Sequence, residues 1–376
     1  MKRVLMLVRE MIPSAVLCGY AQLSELQRQG KISLRTVSPG CITPGLIARA
    51  DVLIFLRSDD SFALTAAELA RRAGKYCVYV FDDDLLNVPP EISSAAHYNL
   101  PETKRCIRAI MRLCQCMLTP SAVLLEEYGG LFERAERIEE PALPAQPLLH
   151  PTGGPVRIGF AGSTDRSGDV DRIVAEALRR MKDKYGQNVT IDFYGVRPTA
   201  AKGLGARCLP YDQSYDEYRR TMERLGWDIG LAPLPDTPFH RCKHYNKYIE
   251  YAAFGIAGIY SDVAVYREAV SSGENGLLAP NTPDGWYTAL CQLIENESLR
   301  RSIARQCFRE VRERCSLEAS CAVWESVIRD APQTGSFVPC LWLPWGRLML
   351  RSLAGKLRVL AGKLRHLRLR HREESA

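Results

Sequence analysis

Residues 243–258 read KHYNKYIEYAAFGIAG, an apolar and aromatic-rich stretch with Glu250 at its centre. The pattern predicts a short helix ended at Gly255. A carboxylate in such surroundings is costly unless it is paired. Two chemistries follow. Glu250 is a structural charge paired with Lys247 or Arg241, or it accepts both hydroxyls of a ribose while Lys243 or Lys247 neutralises a diphosphate. A second candidate is GFAGSTDRSGD at 159–169, between a predicted strand and a helix starting near Val170. Its glycines permit a sharp turn, Gly162 and Ser163 can offer backbone N–H groups to an anion, and Arg166 can meet a phosphate. The spacing is not GxGxxG, so the dinucleotide fingerprint is absent. The competing reading is a tight strand-to-helix turn with Asp169 as its cap.

The third constellation is Asp82, Asp83 and Asp84 in VFDDDLLN, at the end of a predicted strand. Such a triplet could hold a divalent ion, or simply cap and solvate its own turn. Histidines are few: His97 follows the triplet, and His240 precedes the Glu250 helix beside Arg241. No Ser-His-Asp arrangement supports a hydrolase.

These residues need elements to hold them. The first part of the 376-residue chain alternates β-rich runs, VLMLV (4–8), DVLIFLR (51–57), YCVYVFD (76–82) and CMLTP (116–120), with helical stretches. Residues 139–155 are proline-rich and aperiodic, as a linker would be. A second alternating series follows, with VRIGFAG, VTIDFYG, DIGLAPL and AGIYS. The expectation is α/β architecture: two Rossmann-like, doubly wound domains at 1–140 and 156–332, a linker at 141–155, and a tail at 333–376. Ligands of such sheets sit at the carboxyl ends of the strands, in the cleft between the domains.

Composition narrows the partners. No apolar run approaches the roughly 18 residues of a membrane span, and Arg9 and Glu10 cut VLMLV too short for an export signal. The expected location is therefore cytoplasmic. The 13 cysteines are scattered, and Cys114 and Cys116 lack a second pair for zinc, so reduced, mostly buried thiols are expected. The net charge of +7 belongs entirely to the segment after Gly335, leaving a neutral body unsuited to nucleic acid.

The run DIGLAPLPDTPFHRCKHYNKYIEYAAFGIAGIYSDVAVYREAVSSGENGLLAPNTPDGWYTAL resembles the donor-binding half of GT-B glycosyltransferases of the family 4 type, over about 156–330. VFDDDLLNVPP resembles the amino-terminal halves of bacterial relatives. The resemblance implies transfer of a sugar from a nucleotide-diphosphate donor to a glycan or lipid-linked acceptor, with retention and without a metal or other cofactor. In that family two glutamates seven apart flank the donor. The second, which holds the ribose, matches Glu250, whereas Lys243 stands at the position of the first. Lys247 is implied near the phosphates. Arg166 is the candidate for the family's arginine, but Ser167 and Gly168 follow where a lysine is expected. The implied catalytic residues are Lys247, Arg166 and Asp83. Gly162, Ser163, Arg166, Lys243, Lys247 and Glu250 would bind donor, and Asp82, Asp84 and His97 would line the acceptor cleft. A sugar-nucleotide epimerase on the same frame and a non-catalytic, membrane-associated assembly protein are the alternatives.

In the tail, Leu350, Leu353, Leu357, Leu360, Leu364 and Leu367 recur three and four apart among arginines and lysines, behind Trp342 and Trp345. Residues 341–372 have the composition of an interfacial helix on an anionic membrane, which would make the protein peripheral at the inner face. A coiled coil or packing on the body is the competing reading.

Overall fold

Strands that read as unbroken apolar runs, rather than alternating ones, are those covered on both faces. The computed structural model, which describes residues 1–143, 153–212 and 214–332 with positions 346 and 350, shows two such sheets. The first consists of β1 (Lys2–Leu7), β2 (Ile32–Val37), β3 (Val52–Leu56), β4 (Tyr76–Val80), β5 (Cys116–Thr119) and β6 (Arg134–Arg137), in the order β2-β1-β3-β4-β5-β6. All neighbours are parallel. Every residue of β3 is buried, whereas β2, at the edge, alternates and is largely exposed. Helix α1 (Ser61–Arg72) starts where Asp60 accepts from the amides of Phe62 and Ala63, each at 2.9 Å. Helix α2 (Pro101–Leu113) packs beside it. The chain turns back between β1 and β3, which is the topological switch point of this sheet.

The second sheet contains β7 (Val156–Ala161), β8 (Val189–Tyr194), β9 (Arg207–Leu209), β10 (Ile229–Ala232), β11 (Ala257–Ser261) and β12 (Leu277–Ala279). Its order is β12-β11-β10-β7-β8-β9, again all parallel, so its switch point lies between β7 and β10. Helices α3 (Ala175–Tyr185) and α6 (Pro283–Glu295) share one core through Leu178, Met181, Trp286 and Leu290. Helices α4 (Tyr215–Leu225), α5 (Asn246–Ala253) and α7 (Glu297–Arg314) share the other through Met222, Tyr248, Tyr251 and Val311. The two clusters cover opposite faces of the sheet.

The chain divides into one unit of Met1–Glu139 plus the segment from Ser320, and a second unit of Glu140–Ala319. The sequence alone keeps residues 320–332 with the second domain. The structure places them with the first, because the helix Leu317–Asp330 delivers Cys321, Trp324, Val327 and Ile328 to the core that also holds Val4, Met6 and Ile54. Gly19 makes room for this helix: a Cβ there would stand 3.1 Å from the Trp324 ring. Lys2 Nζ secures the end by donating to the Ala331 carbonyl at 2.7 Å. Most of the linker expected at 141–155, and the basic tail of 341–372 apart from positions 346 and 350, lie outside the described residues. Among the described residues no helix is long and apolar enough to cross a membrane, and no disulfide joins the twelve described cysteines, nine of which are buried.

Candidate functional site

At the switch point of the second sheet, the loops leaving β7 and β10 diverge, and Arg166 spans the gap. Its Nη2 donates to the Pro233 carbonyl at 2.5 Å and its Nε to Asp169 Oδ2 at 2.7 Å. Arg172 takes the other oxygen of Asp169, also at 2.7 Å. Asp169 is therefore a buried bridge between two arginines and not the helix cap expected from sequence. The reason is local: helical turns begin at Thr164, and a wide turn at Val170–Val174 leads into α3, so Asp169 already lies inside the helix. Gly162 also plays a different part from the one expected. Its amide donates to the Tyr194 carbonyl at 3.0 Å and is not open to an anion. Its carbonyl presses so close to Gly195, at φ 77°, that a Cβ on Gly195 would stand 2.2 Å away. Ser163 and Thr164 are exposed beside it.

Helix α5 is fixed from both sides. Tyr251 donates to the Leu231 carbonyl at 2.6 Å, and its ring occupies the space a Cβ on Gly230 would fill. Tyr248 donates to Glu310 Oε2 at 2.8 Å, and Asn275, from the ENGLL segment, donates to the same oxygen at 2.7 Å. On this rigid support Lys247 Nζ lies 2.5 Å from Glu250 Oε2. The other oxygen, Oε1, is buried with no hydrogen-bond partner among the described residues. The two side chains are 21% and 16% exposed. Burial pushes the Glu250 carboxyl up to about 8, aided by the charge of Glu140, and pulls Lys247 down to about 7, aided by Arg166. Desolvation thus drives both groups toward their neutral forms despite their contact. Arg241 is not the partner, because it pairs with Asp236 at 2.6 Å. Lys243 sits with its Nζ 4.8 Å over the Phe239 ring.

Two histidines stand behind these groups. His240 is buried, its Nδ1 is 2.7 Å from Thr237 Oγ1, and burial lowers it to about 4, so it is neutral at pH 7. His244 Nδ1 lies 3.9 Å from Glu140, both side chains being almost wholly enclosed. Glu140 is the residue that sequence reasoning missed outright, since it sits in an aperiodic, proline-rich run with nothing local to mark it.

The first sheet carries its own polar cluster at its switch point. Arg57, at the end of β3, is the one non-glycine residue with positive φ, 46°, among the described residues. Its Nη1 reaches Asp82 at 2.5 Å and Asp83 at 3.3 Å. Asp84 turns away from the other two. It accepts from the Leu86 amide at 3.1 Å, from Asn87 Nδ2 at 2.8 Å and from the Tyr128 hydroxyl at 3.0 Å. Both of its oxygens hold the turn, which does not suit the acceptor-cleft role expected for it. His97 Nε2 is 2.7 Å from Asp59, and Arg9, just after β1, joins Asp59 and Asp60. Asp59 and Arg9 were not singled out in the sequence, because each depends on two strand ends brought together.

HepE of Anabaena, in complex with UDP and glucose, matches over 88% of this chain and 100% of its own, with a TM-score of 0.62 and 14% identity. The fold is GT-B. Sucrose-phosphate synthase of Thermosynechococcus elongatus shares this GT-B fold at a TM-score of 0.58 and 13% identity, over 88% of this chain and 98% of its own. No family model matches the chain. In sequence, the O-antigen biosynthesis protein RfbC of Myxococcus xanthus is 28% identical over 230 residues, which is 54% of this chain but only 17% of that protein. Each sheet gathers arginine at its switch point: Arg9 and Arg57 in the first and Arg166 in the second.

Proposed function

We propose that the chain is a glycosyltransferase that moves a sugar from a nucleotide-diphosphate donor to a glycan or lipid-linked acceptor, with retention, in assembly of a cell-envelope polysaccharide. The observation that carries this reading is the orphaned, buried Oε1 of Glu250 beside Lys247, in reach of Arg166. The unpartnered oxygen lacks what a ribose hydroxyl brings, a hydrogen-bond donor, and a second hydroxyl could share Oε2 with Lys247. A diphosphate would in turn give Lys247 a fixed anion, so one ligand satisfies both members of a strained pair. Arg166 keeps its Nη1 hydrogens for the phosphates, and together with Lys247 it would stabilise the charge that develops on the leaving diphosphate. Ser163 and Lys243 lie on the same edge and complete the donor side. Asp83, with Asp59 and His97 at the switch point of the first sheet, is the acceptor-side candidate, and no metal is required. The UDP and glucose held by HepE and the O-antigen role of RfbC support the reading.

The test is thermal stabilisation by UDP-, GDP- and ADP-sugars. A donor present at 100 times its dissociation constant should add about 2.7 kcal/mol, and Glu250→Ala should lose the shift. No response to any of them would favour a non-catalytic assembly protein, and conversion of the nucleotide sugar without an acceptor would favour an epimerase.

Residues 341–372 would hold the protein peripherally on the inner face of the membrane. Sedimentation with vesicles containing phosphatidylglycerol should carry the full chain down and leave a chain ending at 340 in solution; equal sedimentation of both would sink the idea.

A further inference from the structure

The two switch points hold the same residue types in opposite proportion. In the second sheet two guanidiniums, those of Arg166 and Arg172, share one carboxylate, that of Asp169. In the first sheet two guanidiniums meet four carboxylates. Arg9 contacts Asp59 and Asp60, and Arg57 contacts Asp82 at 2.5 Å and Asp83 at 3.3 Å. Asp59 and Asp82 are enclosed, but Asp60 and Asp83 keep 16% and 22% of their side chains exposed, so the surplus negative charge faces solvent. Arg9 is the more open of the two arginines, yet it meets a ligand only with both of its carboxylates beside it.

Two further groups show what the site lacks. Ser58, between Arg57 and Asp59 in the chain, is 4% exposed, and its Oγ has no hydrogen-bond partner among the described residues. His97 presents Nε2 to Asp59 at 2.7 Å, which leaves Nδ1 of a neutral ring as an acceptor. That Nδ1 is also buried with no hydrogen-bond partner among the described residues. A phosphate would bring negative charge and mainly acceptor oxygens to these groups. A sugar hydroxyl brings a proton that Nδ1 or a carboxylate can take, and an oxygen to which Ser58 can donate. We infer that this site takes the acceptor by an uncharged, hydroxyl-bearing sugar and selects against a phosphate there. This rests on the glycosyltransferase reading. The selecting groups are Asp60 and Asp83, because carboxylates already outnumber both arginines and like charges brought together are costly. Any phosphate of a lipid carrier would then lie outside the site, with at least one sugar between it and the reacting hydroxyl.

The experiment measures kcat/KM for transfer by the full chain from whichever UDP-, GDP- or ADP-sugar stabilises it. The acceptors are octyl glucoside, galactoside, mannoside and N-acetylglucosaminide, the monophosphate isomers of each, and farnesyl phosphate as a stand-in for a lipid carrier. In wild type even the best monophosphate isomer should fall below its parent sugar by about tenfold or more, and farnesyl phosphate should be inert. Asp60→Asn, which still caps α1, and Asp83→Asn should each narrow that gap by about threefold. Equal use of phosphorylated and parent sugars, or a gap unchanged in both variants, would overturn the inference. Transfer to farnesyl phosphate, or to none of these acceptors while a donor still stabilises the protein, would overturn it as well. Absence of donor stabilisation in wild type would instead overturn the donor reading, and this inference with it.

Discussion

Glu250→Gln should raise the melting temperature of the free protein at pH 8 while abolishing its response to a nucleotide-sugar donor. The sign follows from the direction of the shift. Glu250 is raised from an ordinary value near 4.5 to about 8, so the stability it contributes is fully present below pH 4.5 and is lost as pH climbs through 8. Lys247 is lowered, so its contribution is present above its ordinary value near 10.5 and is lost as pH falls through about 7. Glutamine removes the first of these and leaves the second. Stability between pH 5 and 8 should then fall less steeply with pH than in wild type. After allowance for the attraction of Lys247, the gain at pH 8 is on the order of 2 kcal/mol, or about 5 °C in a unit of this size. A melting series from pH 5 to 9 checks both parts. An unchanged slope would mean that the ion pair offsets its own desolvation, and that the carboxylate is an ordinary structural charge. The expected trade of stability against ligand response is the mark of a site that holds its polar groups ready for an absent partner.

Gly159→Ala should destabilise the second unit by about 3 kcal/mol, lowering its melting temperature by roughly 9 °C. Gly159 lies in β7, and a Cβ there would fall 1.9 Å from the Trp227 ring. The indole cannot retreat cheaply, since it is fully buried and its Nε1 donates to Asp192 at 3.0 Å. The same device recurs in neighbouring strands, where Gly230 faces Tyr251 at 2.6 Å and Gly258 faces the Tyr260 hydroxyl at 2.0 Å from the missing Cβ. A urea titration of the variant settles it; a midpoint unchanged from wild type would show that the aromatic layer yields more readily than its packing implies.

These glycines also mark what was legible in the sequence. The central strands declared themselves as apolar runs, and β1, β3, β4 and β5 stand within a few residues of where the pattern predicts them. The edge strands did not: β2 alternates like a surface segment, and β6 and β9 are short and half-exposed. Glu250 was visible because a lone carboxylate in an aromatic helix is costly wherever it lies, and its pairing with Lys247 rather than Arg241 was one of the alternatives foreseen. Glu140 and Asp59 were not visible, because each matters only through residues distant in sequence. Asp84 and Asp169 show the reverse limit. Asp84 fitted a functional motif and Asp169 a helix cap, yet hydrogen bonds hold both oxygens of the first and two arginines hold both oxygens of the second.

The helix Leu317–Asp330 has a consequence for how the protein is made. The first unit is begun at the amino terminus, but Cys321, Trp324, Val327 and Ile328 of its core are encoded beyond the whole second unit, Glu140–Ala319. At a synthesis rate of about 5–20 residues per second, the first sheet leaves the ribosome roughly 10–40 s before its last core residues do. Through that interval it offers nascent-chain chaperones an unsealed apolar face.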